Sequence, residues 1–247
     1  MRRVFLTGAV ALCACATGFG ADATGEVEIS LHGTGDSSGG LRFGRALLGV
    51  GHVELVAAEV DEPPVGDGHG HAHLIRAAAH DAHDAHDAHD GHDEHDGHDH
   101  DHEQVTTHDL LAGEAPLATI ETAVGTYLAL HLELEAPAEG EAAGCAFLAT
   151  GPATVDEASV PVRICTPGPQ TLHVDAAFEV ELDRSTPLVL DFALDRVLRG
   201  VSLAALARMD DGSIRIDAQH NADALVQVEE NLAGALSLHD HDHDHDH

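Results

Sequence analysis

Apolar and polar residues alternate at period two through most of the chain, the pattern of strands with one buried face. GEVEISLH sets Val27, Ile29 and Leu31 on one side, and GHVELVA does the same with Val53 and Leu55. In YLALHLELE, Leu128, Leu130, Leu132 and Leu134 share one face, while His131, Glu133 and Glu135 share the other. TLHVDAAFEVELD places Leu172, Val174, Phe178, Val180 and Leu182 inward, and PLVLDFALD adds Leu188, Leu190, Phe192 and Leu194. Gly- and Pro-bearing turns separate these runs. The expected fold is mainly β, an antiparallel, Ig-like β-sandwich.

Helical spacing comes late. DRVLRGVSLAALARM reads as a short helical connector. NADALVQVEENLAGALSL is the stronger segment, with Leu225, Val228, Leu232 and Leu236 on one face, Asn221 as N-cap and Asp223 in the first turn. This C-terminal helix is expected to pack on the edge or end of the sandwich.

The alternation stops at DEPPVGDGHG, and from residue 61 to about 108 there is no usable apolar periodicity beyond Leu74 and Ile75. So long a stretch inside a compact domain is functional or disordered. The expected organisation is a signal segment with a lipobox (1–15), the first part of the sandwich (24–60) and a long disordered His-rich insertion (61–108). The rest of the sandwich with its helix (109–238) follows, then a disordered tail (239–247).

Charge narrows the partners. The 247 residues carry 44 Asp and Glu against 11 basic residues, all Arg, for a formal charge of −33. That field repels nucleic acid and anionic headgroups and attracts cations. Protonating all 23 His would bring the charge to −10, so the chain buffers protons as well as cations.

The His positions are where the composition becomes chemistry. Residues 79–103, AHDAHDAHDAHDGHDEHDGHDHDHE, are seven x-His-Asp triplets with a short His/Asp tail, and the chain ends on LHDHDHDHDH. The candidate ligands are His69, His71, His73, His80, His83, His86, His89, His92, His95, His98, His100 and His102, with His239, His241, His243, His245 and His247. Imidazole with carboxylate suits borderline Zn²⁺, with Ni²⁺ and Cu²⁺ as alternatives; without a Cys or Met cluster Cu(I) is a poor fit. In extended or polyproline-like backbone alternate His fall on one side. Some ligands meet in any conformation, so no single geometry is specified. Ordering such a segment costs about 1–2 kcal/mol per residue, which points to several weak sites. The alternative is a solvated repeat born of replication slippage, and the second copy at the C-terminus weighs against it.

The strands offer a second candidate. His131, Glu133, His173 and Asp175 lie on polar faces, and they form a coordination shell if their strands are neighbours; His52 with Glu54 and His32 with Glu28 are similar pairs. A solvated surface His is the commoner outcome for each.

MRR followed by VFLTGAVALCACA is a positive start and a short apolar run, the form of an export signal. At about 13 residues the run falls short of the roughly 20 needed to span a bilayer. Leu12-Cys13-Ala14-Cys15 resembles the lipobox of bacterial lipoproteins. That resemblance implies acylation of Cys15 and, with Ala16 next, a lipid anchor at the periplasmic face of the outer membrane. Ordinary signal-peptidase cleavage after Ala16 or Ala23 is the alternative. Export permits a disulfide between Cys145 and Cys165, which a hairpin centred near Val155 would bring opposite each other; a two-Cys metal site lacks CxxC spacing.

The His-rich segments resemble those of bacterial exported zinc-handling proteins such as zinc-uptake binding proteins, whose α/β fold the β-rich remainder does not share. The C-terminal part, LDFALDRVLRG onward, is similar to periplasmic copper-associated β-sandwich proteins of methanobactin-type operons. Their metal site uses a modified Trp; this chain has no Trp, so no residue carries over. Among enzyme motifs, HExxH, GxSxG and a P-loop are missing, and Ser38 in GTGDSSGG would need a positioned His and Asp to act as a nucleophile. The expected role is a non-enzymatic, lipid-anchored metal binder of the cell envelope, with divalent ions and a metal transporter as its partners. The competing role is a surface module for protein or glycan, with the His-rich segments as spacers or a pH sensor.

Overall fold

The computed structural model describes residues 23–58 and 105–239. The signal segment and lipobox, most of the expected insertion, and the tail beyond His239 lie outside the described residues.

Among the described residues the chain is mainly β, with one α-helix. Its strands are β1 (Thr24–Thr34), β2 (Ser37–Ser38), β3 (Leu41–Arg42), β4 (Arg45–Ala57), β5 (Thr106–Asp109), β6 (Ala115–Ala123) and β7 (Gly125–Leu134). They continue as β8 (Phe147–Val155), β9 (Ala158–Thr166), β10 (Gln170–Val180), β11 (Ser185–Ala193), β12 (Ile214–Ile216) and β13 (Leu236–Leu238), with α1 at Ala222–Ala233 before the last. One sheet has the order β13-β11-β1-β6. The larger one runs β10-β7-β4-β8-β3-β2, with β5 added on β4, β9 on β8 and β12 on β9. No described helix is long and apolar enough to cross a membrane.

Most pairings are antiparallel, but β1 runs parallel to β11, and β12 parallel to β9. Both parallel pairs join strands distant in sequence. The expected inward residues of β1 and β11 (Val27, Ile29, Leu31, Leu188, Leu190, Phe192) are all buried. They merge with the inner residues of β4, β7, β8 and β10 into one core, and the Phe147 and Phe192 rings stack between the sheets at 5.9 Å.

Two apolar positions differ from the alternation. Leu128 is 50% exposed, and Tyr127 takes the inward place beside it. The register of β7 shifts here against both neighbours, between Val56 and Ala57 on β4 and between Asp175 and Phe178 on β10. Such a bulge turns the following side chains over. Tyr127 stacks on Phe178 at 5.4 Å and donates its hydroxyl to the Ala123 carbonyl, which satisfies the one polar atom a buried Tyr brings. Leu182, 53% exposed, lies past the end of β10.

The late helical segments also differ in detail. DRVLRGVSLAALARM forms two 3-10 turns, Leu194–Arg196 and Leu203–Ala205, not a helix. Asn221 precedes α1 in the left-handed region and makes no capping bond. Its amide instead accepts from Ala207 N and donates to the Ala207 and Arg215 carbonyls, tying the preceding loop. Leu225, Val228 and Leu232 are buried as expected, but α1 ends at Ala233 and Leu236 begins β13. The helix packs against β9, β10 and β12.

β4 changes partner midway, pairing with β8 from Arg45 to Leu48, with β5 from Leu47 to Val50 and with β7 from Val50 onward. Gly49 allows this crossing, because a Cβ there would stand 2.2 Å from the Glu135 carbonyl oxygen. Strand β5 occupies 106–109, inside the stretch expected to close the insertion. Its His108 pairs in register with Leu48 and turns into the core.

Candidate metal centre

The outer face of the larger sheet gathers the His and acidic positions of three adjacent strands. Because side chains alternate along each strand, Glu54 of β4, His131 of β7 and His173 of β10 fall in one row across the sheet. His131 Nε2 lies 2.9 Å from His173 Nδ1, with the rings tilted by 52°. The outer nitrogens face carboxylates: His131 Nδ1 is 3.6 Å from Glu54 Oε2, and His173 Nε2 is 3.1 Å from Asp175 Oδ1. The row therefore reads carboxylate, imidazole, imidazole, carboxylate.

Three of the four expected residues, His131, His173 and Asp175, are brought together. Glu133 is one row along, opposite His52 on β4 and Thr171 on β10, and Glu54 stands where Glu133 was expected. The cause is register: Glu54 is the direct cross-strand partner of His131, while Glu133 is paired with His52.

At 2.9 Å one ring nitrogen donates to the other, the tautomers deciding which. A divalent ion entering there would replace that proton. Metal–nitrogen bonds of about 2.0–2.1 Å in a tetrahedral shell set the two nitrogens roughly 3.4 Å apart, so the gap must widen from 2.9 Å. The carboxylates face the far nitrogens, the side from which acidic partners orient a metal-bound imidazole. As they stand, no three His, Cys, Asp or Glu groups close around one point among the described residues. The row offers an ion two nitrogen donors, and water would fill the other positions.

On the smaller sheet, His32 Nδ1 is 3.0 Å from Asp191 Oδ1 and His239 Nδ1 is 2.6 Å from Asp191 Oδ2. His32 thus pairs with Asp191 instead of Glu28. Burial works to raise the Asp191 carboxyl, but hydrogen bonds from His239 and His32 outweigh it and hold it below the usual carboxylate range. His220 pairs with Asp217 at 2.8 Å inside a turn whose backbone N–H groups also bond that carboxylate, a structural role. Of the other expected ligands, His69 through His102, His241 through His247 and the lipidation residue Cys15 lie outside the described residues.

Cys145 and Cys165 form a disulfide with Cα atoms 5.2 Å apart, so neither sulfur is a metal ligand. It joins the chain just before β8 to the end of β9, beside Leu47, Ala142 and Leu148. Ser38 is buried, and its hydroxyl donates to the Asp195 carbonyl and accepts from Leu198 N. Those bonds make it a structural tie.

Sequence reasoning missed Asp191 as the partner of His32 and Glu54 as the partner of His131. Both are acidic residues on polar strand faces, but only the strand order pairs them. No family model, curated protein or solved structure matches the chain.

Proposed function

We propose that this protein is an exported, lipid-anchored binder of divalent cations, zinc first and Ni²⁺ or Cu²⁺ next, that buffers, sequesters or hands on metal at the cell envelope. The observation that carries the reading is the cross-strand contact of His131 with His173, flanked by Glu54 and Asp175. Two imidazoles held at near ligand spacing, each oriented by a carboxylate, have the donor chemistry of a borderline metal site.

Seventeen further His in the Asp-rich segments extend that chemistry to capacity. The formal charge of −33 concentrates cations around the whole chain. The lipobox-like Leu12-Cys13-Ala14-Cys15 supports anchoring through Cys15, and a metal transporter is the partner such a protein would serve. The two sheets are taken as the faces of an Ig-like sandwich, supported by the single core between them.

Metal binding by imidazole competes with protons. Equilibrium dialysis against zinc should show several ions per chain near pH 7.5 and a steep fall by about pH 5.5. Equal retention at both values would rule out His ligation.

A further inference from the structure

On the outer face of the smaller sheet, Asp191 receives two imidazoles from opposite sides. His32 is its direct partner in the parallel β1–β11 register. His239 follows β13 on the other flank, where its backbone N–H donates to the Val189 carbonyl at 2.7 Å. Each carboxylate oxygen meets one ring nitrogen, at 3.0 and 2.6 Å. The strands beneath are fixed by Leu31, Leu190 and Phe192, all buried.

We propose that His32, Asp191 and His239 form a divalent-cation site of their own, built on the smaller sheet and separate from the His131–His173 row. The donor set is two imidazoles and one carboxylate, which suits zinc and its borderline neighbours. Neighbouring ligands of a tetrahedral zinc stand about 3.4 Å apart, given bonds of about 2.0–2.2 Å. Each nitrogen–oxygen distance here is shorter than that by less than an ångström, but the two imidazoles stand on opposite sides of the carboxylate, so exchanging the bridging protons for one ion requires both rings to swing toward each other over Asp191. The three groups are now linked in a line through Asp191, and that swing closes them. Water completes the shell.

Local charge favours the ion. Glu114 accepts from Ser30, two residues before His32 on the same face of β1, and Glu28 is exposed on that face. From Asp240 the chain alternates Asp and His to its end, so a cation held at His239 sits next in sequence to further ligands. A bound ion would also cross-link β1, β11 and the residue after β13. It would therefore stabilise the folded state.

That coupling gives the test, because ligands that bind equally well in the folded and unfolded chain cancel in a melting curve. The inference takes its metal class from the reading above but not its site. The midpoint of thermal unfolding of the full chain is measured with and without zinc, and each variant is compared with its own metal-free midpoint. Free zinc about a hundredfold above the dissociation constant should raise the wild-type midpoint by about 5–10 °C. His239→Ala and His32→Ala should each remove this site's share of that rise and leave the share of the His131–His173 row, while His220→Gln, altering a His paired elsewhere, should keep both. If His32→Ala does not fold, His239→Ala at the end of the strand decides alone. An undiminished rise in His239→Ala, no rise in the wild type, or equal loss in His220→Gln overturns the site. Zinc that fails to bind both the His131–His173 row and the His/Asp-rich segments would defeat the broader reading and leave this shift in place.

Discussion

His108 turns its imidazole toward the core opposite Leu48, 7% exposed, and its Nε2 has no hydrogen-bond partner among the described residues. Burial pushes its pKa below the ordinary imidazole range. The unfolded chain takes up a proton there as pH falls through about 6.5 and the folded chain does not. The stability this group contributes is thus present above that range and is lost on acidification through it. His108→Leu should stabilise the protein by about 1–2 kcal/mol near neutral pH by removing an unpaired buried nitrogen. Its advantage over wild type in chemical denaturation should widen from about pH 7.5 to pH 5.5. A constant gap would place the proton elsewhere. In sequence, His108 looked like the last residue of the polar insertion. Only its pairing with β4 shows that it faces inward.

At the scale of elements, the β8–β9 hairpin turns through Asp156 and Glu157, both at positive φ (51° and 66°), between the paired residues Val155 and Ala158. This is the backbone of a tight hairpin turn whose twist matches the strands, and Gly suits its second position best. Glu157→Gly should therefore raise stability by about 1 kcal/mol, read as a thermal midpoint higher by about 2–4 °C. A lower midpoint would mean that the Glu157 side chain holds the turn.

The hairpin was legible: strand-like runs flanked a turn between Cys145 and Cys165. So were the inner faces of β1 and β11, where alternation runs unbroken. The same rule misassigned Leu128, because the bulge in β7 substitutes Tyr127, and Leu182, because β10 stops two residues earlier. The helix was legible through Leu232, but Gly234 ends it before Leu236. The parallel β1–β11 pairing left no local mark, since the residues it aligns, such as His32 and Asp191, lie 159 positions apart. The His131–His173 contact was visible as a condition on strand adjacency, and the partner acid was not.

At the scale of the whole molecule, ordered and repeated His meet in one chain. Two His-bearing rows stand on opposite sheets, and the sequence adds sixteen His from His69 to His102 and His241 to His247 in Asp-rich runs. The proposed function assigns capacity to the runs, because each ion there would need only a few neighbouring ligands. Zinc bound per chain at equilibrium, by elemental analysis after dialysis near pH 7.5, tests this division directly. The comparison is between the wild type and a full-length variant with those sixteen His changed to Gln and His239 retained. The wild type should hold several ions, and the variant no more than about two, one for each row on the sheets. Equal zinc content in the two proteins would contradict the account.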